Sequence, residues 1–330
     1  MKISVLGAGG WGTALALVLS GNDHAVTLWA RNEDSIAQMR RTRINSTYLP
    51  GVVIPETINL THDASEANAA DMLVIAIPTQ FIRPAFVDYG FDAEGKIVVS
   101  TSKGIERRTL MRVSEVLKDA AGIEMKNFAA LTGPSHAEEV ARTLPTTVVA
   151  ASENEDIAKL VQRCFTRSTF RVYHSTDVIG AELGGAVKNV IAISAGIVDG
   201  LGMGDNTKAA LITRGLAEIT RLGIALGAQP MTFSGLSGLG DLIVTCASRH
   251  SRNRSVGEQL AKGKTLDQIH REMQQVAEGV FSSESVYALS KKIGVEMPIA
   301  HKVYEVLFED KPAPQAMYEL MTREMKPEQW

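Results

Sequence analysis

The chain reads as α/β: a doubly wound, mostly parallel sheet in the first half, followed by an all-α C-terminal domain. Three observations carry that reading. A glycine-rich turn stands between an apolar strand-like run and a helix-like run at the start of the sequence. Short apolar runs then alternate with helix-like segments as far as Tyr173, and beyond that point strand-like patterning stops. With 330 residues, 45% of them hydrophobic, there is material for two domains of ordinary size. The boundary is expected within His174–Ala181, dividing the chain into residues 1–178 and 179–330.

Ile3–Leu6 reads as a buried strand, Gly7-Ala8-Gly9-Gly10-Trp11-Gly12 as a turn, and Thr13–Ser20 as a helix that Gly21 ends. The spacing of Gly7, Gly9 and Gly12 fits a dinucleotide fingerprint: a tight turn, a close approach to pyrophosphate, then close helix-to-sheet packing. The first domain is therefore expected to be Rossmann-like. Further strands are predicted at Ala25–Ala30, Met72–Ile77, Ile97–Ser100, Phe128–Leu131, Thr146–Ala151 and Phe170–Tyr173, with helices near 33–42, 79–87, 109–119 and 156–164.

The second strand ends Trp29-Ala30-Arg31-Asn32, so a cation stands where an acid commonly holds the ribose 2′-hydroxyl. Arg31 suits a 2′-phosphate, which predicts acceptance of NADPH, while Glu33 and Asp34 leave NADH open. Ligands in such sheets bind beyond the carboxyl ends of strands. Lys103 follows Ile97–Ser100, and Gly133-Pro134-Ser135-His136 follows Phe128–Leu131. Backbone N–H groups entering the helix-like His136–Ala141, together with Ser135, suit an oxygen-rich substrate.

Helices are predicted at about 181–199, 207–226, 252–262, 266–276, 280–293, 299–309 and 313–323. Asp205-Asn206 precedes one of them, Thr265 with Gln268 makes a capping box, and Gly227, Gly263 and Gly294 suit C-terminal caps. Lys188 is a single ammonium inside the apolar run Gly184–Ile193, and such a charge is usually paired, neutralised or turned to a cleft. Its helical neighbours Gly184, Gly185 and Ala192 are small, which is read as clearance for substrate or nicotinamide. Gly235–Asp241 reads as a glycine-rich loop delivering a carboxylate before Leu242-Ile243-Val244. Ser251-Arg252-Asn253-Arg254 opens a helix whose free N–H groups and guanidinium donors suit a phosphate.

A net charge of −3 with a pI near 6.2 argues against a nucleic-acid partner. Cys164 and Cys246 form no framework, which points to the cytoplasm. The histidines show no metal-ligand spacing, so no metal is expected. No run reaches the roughly 20 apolar residues of a membrane span, so an integral membrane protein is not expected.

Gly7–Ala16, Gly133-Pro134-Ser135, the lysine helix, Asp199–Asn206, Thr213-Arg214-Gly215 and Ser251–Arg254, taken in that order, resemble the bacterial NAD(P)-dependent glycerol-3-phosphate dehydrogenases over nearly the whole chain. The resemblance implies reversible reduction of dihydroxyacetone phosphate to sn-glycerol 3-phosphate by hydride transfer from NADPH or NADH, supplying glycerophospholipid synthesis. Lys188 aligns with the proton donor and acceptor. Lys103, Gly133, Ser135, Lys188, Asp241, Ser251, Arg252 and Asn253 align with substrate contacts. Gly10, Trp11, Arg31, Lys103, Ala137, Arg252, Val276 and Glu278 align with cofactor contacts, beside the fingerprint glycines.

In that scheme Arg252 and Asn253 anchor the phosphate, while Asp241 orients Lys188 or the substrate hydroxyl. Gly10 departs from a serine common in relatives and His136 from a phenylalanine; no catalytic role is assigned to His136. A homodimer is expected through apolar faces of the helical domain. Two alternatives compete. A 3-hydroxy-acid dehydrogenase would resemble a pattern with asparagine four residues after the lysine, where this chain has Ala192. A non-catalytic dinucleotide sensor would not need Lys188, Asp241 and Arg252 together.

Overall fold

In the computed structural model, which describes residues 1–273 and 277–328, the first half is an eight-stranded mixed sheet covered by helices and the second half is all helix. The strands are β1 (Lys2–Leu6), β2 (Ala25–Trp29), β3 (Ile58–Thr61), β4 (Met72–Ile75), β5 (Ile97–Ser100), β6 (Phe128–Thr132), β7 (Thr146–Ala151) and β8 (Phe170–Ser175). They lie in the order β3-β2-β1-β4-β5-β6-β7-β8, parallel throughout except where β7 runs against β6. The chain thus reverses direction across the sheet at β1, opening a crevice at the carboxyl ends of β1 and β4.

Helices α1 (Gly10–Ser20), α2 (Glu33–Thr42), α3 (Ala64–Asn68), α4 (Ile82–Tyr89), α5 (Val113–Ala121), α6 (Ala137–Ala141) and α7 (Glu155–Phe165) connect the strands. One face of the sheet packs Ile3 and Val5 against Leu15 and Leu19 of α1, and the other packs Leu73 and Ile75 against Phe86 of α4 and Val116 of α5. Strand β3 was not predicted: Ile58-Asn59-Leu60-Thr61 alternates over only four residues, too short a run to separate a strand from a loop, and its parallel register on β2 makes it one. The helix predicted from 79 begins as the 3₁₀ turn Thr79–Phe81, and the one predicted from 109 begins at Val113, because Arg112 bridges back to Ile105.

The second half comprises α8 (Val178–Gly200), α9 (Gly204–Ala225), α10 (Pro230–Phe233), α11 (Asp241–Ala247), α12 (Arg252–Ala261), α13 (Leu266–Glu272), α14 (Glu278–Ile293), α15 (Pro298–Phe308) and α16 (Ala313–Met321). Thr265 and Gln268 form their reciprocal cap. Gly227, Gly263 and Gly294 take the left-handed backbone that stops a helix. Asp205 and Asn206 do not precede α9 but lie in its first turn. The predicted extension of α13 to residue 276 falls outside the described residues.

Helix α8 is the axis of this domain, packed against α9, α11, α12 and α14. By length and composition it is apolar enough to cross a membrane, contrary to the sequence reading, yet 94% of its most apolar stretch is buried within the protein. Gly196 and Gly257 permit the close α8–α12 crossing, since a Cβ on Gly257 would lie 1.8 Å from the Ile193 carbonyl oxygen.

The stretch read as a glycine loop before Asp241 is instead a π-helical turn, Leu236–Gly240, running straight into α11. Gly238 allows it, because a Cβ there would meet the Phe233 backbone at 2.2 Å.

Candidate active site

The glycine turn after β1 meets the sequence's geometric demands residue by residue. Gly7 has φ +112°, a backbone that side-chain-bearing residues rarely adopt. A Cβ on Gly12 would stand 1.9 Å from the Gly7 carbonyl oxygen, so α1 sits hard against the turn. Gly9, by contrast, has open space where its Cβ would be. Helix α1 begins with no side-chain cap and no acid in its first turn, leaving its first N–H groups directed at that space. A pyrophosphate fits this cradle; Trp11 lines the same cavity, and its indole Nε1 is buried with no hydrogen-bond partner among the described residues.

One continuous cavity of about 880 Å³ runs from this turn to Lys188. The fingerprint Gly7, Gly9, Gly10, Trp11 and Gly12 line one end, with Arg31 exposed beside them at the end of β2. Lys103, Ser135, Ala137 and Lys188 line the middle; Ser251, Arg252, Asn253 and Glu278 close the other side. Gly133 and Asp241 stand just outside this lining, and Val276 falls outside the described residues.

At the centre, two ammonium groups share one carboxylate. Lys188 Nζ lies 2.7 Å from Asp241 Oδ1 and donates at 2.7 Å to Thr245 Oγ1. Lys103 Nζ donates to Asp241 Oδ2 at 2.7 Å and to the Gly133 carbonyl at 3.0 Å. Each ammonium carries three N–H bonds, two of them engaged among the described residues, and both lysines line the cavity. Asp241 is 1% exposed. Burial alone would raise its carboxyl, but the two lysines outweigh that and hold it below the usual carboxylate range.

The Lys188 ammonium is pushed down to about 8, first by burial and further by the charge on Lys103, with Asp241 pulling the other way. Near neutral pH it is therefore mostly the charged proton donor, and it reaches the midpoint between donor and acceptor near pH 8.

Asn189 and Asn253 brace this cluster. Asn253 Nδ2 donates to Asn189 Oδ1 at 2.9 Å, Asn253 Oδ1 accepts from Gly279 N at 2.9 Å, and Asn189 Nδ2 donates to the Lys103 carbonyl at 3.3 Å. Ser251 caps α12 by accepting from Arg254 N at 3.2 Å, which leaves its hydroxyl proton for another partner. Glu278 accepts from Thr79 N at 3.2 Å, and burial raises its carboxyl against the opposing charge of Arg252.

The glycines around Lys188 have a different purpose from the one expected. A Cβ on Gly184 would lie 2.3 Å from the Ser237 carbonyl oxygen, and one on Gly185 would lie 3.1 Å from Thr132 Oγ1 and 3.3 Å from Lys103 Cγ. Ala192 is fully buried. Protein, not ligand, fills the clearance: these residues let the turn before Asp241 and the stem of Lys103 reach α8. Thr245 was missed altogether. Asp241 and Thr245 are four apart, a helical spacing that puts both on one face, but the apolar Leu242-Ile243-Val244 hid the helix.

Models of the NAD-dependent glycerol-3-phosphate dehydrogenase N-terminus and C-terminus match residues 2–158 and 177–318 respectively. The chain belongs to this family. A glycerol-3-phosphate dehydrogenase [NAD(P)+] of Chlorobium luteolum is 54% identical over 333 residues, covering 99% of each chain, and one of Geobacter sp. (strain M21) is 52% identical over 330 residues, covering 99% of this chain and 98% of the relative.

A crystal structure of glycerol-3-phosphate dehydrogenase from Coxiella burnetii superposes with a TM-score of 0.93 at 37% identity, covering 98% of this chain and 99% of the other. D-Mandelate dehydrogenase shares the fold alone, at 15% identity and a TM-score of 0.62. The glycerol-3-phosphate dehydrogenase assignment sets aside both the 3-hydroxy-acid dehydrogenase and the sensor. It makes the chain an NAD(P)-dependent oxidoreductase acting on a CH–OH group, in lipid metabolism.

Proposed function

We propose that this dehydrogenase reduces dihydroxyacetone phosphate to sn-glycerol 3-phosphate, reversibly, with NADPH accepted through Arg31. The observation that carries the reading is Lys188, buried in the wall of the cofactor cavity with one N–H not engaged among the described residues and left for the ligand. When bound, the nicotinamide supplies hydride chemistry at the carbonyl carbon.

Lys188 gives its proton to the oxygen on which negative charge develops, and takes it back in the reverse direction. Lys103 adds a second positive charge that stabilises the same oxygen. Asp241 acts through the lysines, since both its oxygens are engaged by them. Ser251, Arg252, Asn253 and the N–H groups opening α12 hold the phosphate, and fixing that end aligns the ketone. Ser135 and Gly133 shape the wall beside Lys103, with Ser135 Oγ tied to the Gly133 carbonyl at 2.8 Å.

A cytosolic location and a homodimer belong to the same reading. Its supports are two buried, unpaired cysteines and a helical domain that exposes Ile224, Met231 and Ile243.

Initial rates of NADPH and NADH oxidation with dihydroxyacetone phosphate test the substrate and cofactor, and light scattering tests the dimer. Lys188→Met is expected to lower turnover by about 10²–10⁴-fold, the usual worth of a general acid, with NADPH affinity retained. Near-normal turnover in that variant would remove Lys188 from the chemistry.

A further inference from the structure

His136 is the N-cap residue of α6, directly between Ser135 and Ala137, and it lines the same cavity as Lys188. Its Nε2 is buried and has no hydrogen-bond partner among the described residues. The imidazole lies 5.8 Å, centroid to centroid, from that of His250, the residue before Ser251. The ring thus stands between the lysine end of the cavity and the start of α12. A buried ring nitrogen without a partner is destabilising unless something that enters the site completes it.

We propose that His136 Nε2–H donates a hydrogen bond to the phosphate of the bound substrate, and that the ring takes up a proton from solvent as this anion enters. The inference rests on reading the cavity as a glycerol-phosphate site. It adds a ligand contact on the sheet side, opposite Ser251, Arg252 and Asn253 on the helical side.

The charges around the ring explain the coupling. Burial, with Lys188 on α8 and Lys103 after β5 reinforcing it, holds the imidazole below its ordinary value, while Glu138 and Glu139 on its own helix pull upward. From the α11–α12 connection it faces His250, with Arg252 lining the same cavity. In the free protein the ring is therefore neutral at pH 7. A phosphate dianion placed among these cations cancels the repulsion from Lys188 and Lys103, and the charged ring becomes the favoured form.

Calorimetric titration of dihydroxyacetone phosphate into the NADP⁺-saturated protein, which cannot turn over, measures the coupling when repeated at pH 7 in buffers of different ionisation enthalpy. Wild-type protein is expected to take up a fraction of a proton per site, and dihydroxyacetone, which lacks the phosphate, none. His136→Gln keeps a donor near the Nε2 position without a titrating group, so it is expected to bind within a few-fold of wild type and lose the uptake. His136→Phe removes the donor and is expected to weaken binding about 10-fold or more, the scale of a charge-assisted hydrogen bond.

Undiminished proton uptake in His136→Gln, or wild-type affinity in His136→Phe, overturns the inference. Failure of the wild type to oxidise NADPH with dihydroxyacetone phosphate overturns the functional reading instead. Wild-type turnover alongside variants indistinguishable from wild type overturns this inference alone.

Discussion

On the proposed mechanism Lys188 and Asp241 set the pH behaviour of the site. In that mechanism reduction needs the charged lysine, so kcat/KM for dihydroxyacetone phosphate is expected to fall as pH rises through about 8. Oxidation of sn-glycerol 3-phosphate needs the neutral amine and should rise through the same range. Asp241→Asn removes the anion that favours the charged lysine, while burial and Lys103 still oppose it, so the falling limb should move to lower pH. A pH profile unchanged in that variant would disconnect Asp241 from Lys188. On the proposed reading Arg31, exposed beside the fingerprint, meets the 2′-phosphate: Arg31→Glu should shift the ratio of kcat/KM values from NADPH towards NADH, and steady-state kinetics with both cofactors would show whether it does.

At the scale of elements, the site depends on how closely two pieces of backbone approach α8. The π-helical turn Leu236–Gly240 lies over Gly184 so tightly that any side chain there meets the Ser237 carbonyl. Backbone cannot swing aside as a flexible side chain can. Gly184→Ala is therefore expected to cost about 1–3 kcal/mol of stability, as overpacking does, and to lower kcat by displacing Asp241, while NADPH affinity stays as in wild type. Denaturant unfolding together with kcat measures this, and wild-type values for both would show that the turn can yield.

The same packing explains what sequence reading got wrong locally. Glycines beside a buried lysine look like room for a ligand, whereas the room belongs to the turn and to the stem of Lys103. Asp241 and Thr245 share a helix face that periodicity did not reveal, because three apolar residues lie between them. Strand β3 escaped notice since four residues carry too little pattern, and only pairing with β2 defines it.

Over the whole molecule, the proposed chemistry requires the sheet domain and the helical domain to hold a fixed relation, since Lys103 comes from one and Lys188 and Asp241 from the other. A second junction helps fix it. Glu182 of α8 accepts from Ser114 N at 2.7 Å, from Ser114 Oγ at 2.7 Å and from Arg112 Nη1 at 2.6 Å, all at the start of α5. Burial raises the Glu182 carboxyl even so, with Arg112 and Ser114 opposing it.

Glu182→Ala would leave Arg112 its pair with Glu115 but would strip the buried Ser114 N–H and hydroxyl of their acceptor, a loss expected to cost about 1–3 kcal/mol. The expected outcome is a lowered unfolding temperature with the transition broadened or split in scanning calorimetry; a single transition at the wild-type temperature would show that the domains are coupled elsewhere.

The amino-acid sequence by itself determined the fold class, the order of nearly all elements and the glycine turn, because these rest on local periodicity and backbone permissiveness. Tertiary structure alone decided which charges meet. Lys103, Lys188 and Asp241 are 138 residues apart at their extremes, and Asp241 became the shared partner of both lysines only when the π-turn seated α11 on α8. Spacing along a chain carries no information about such distant contacts; packing does, by fixing which buried charge must satisfy which.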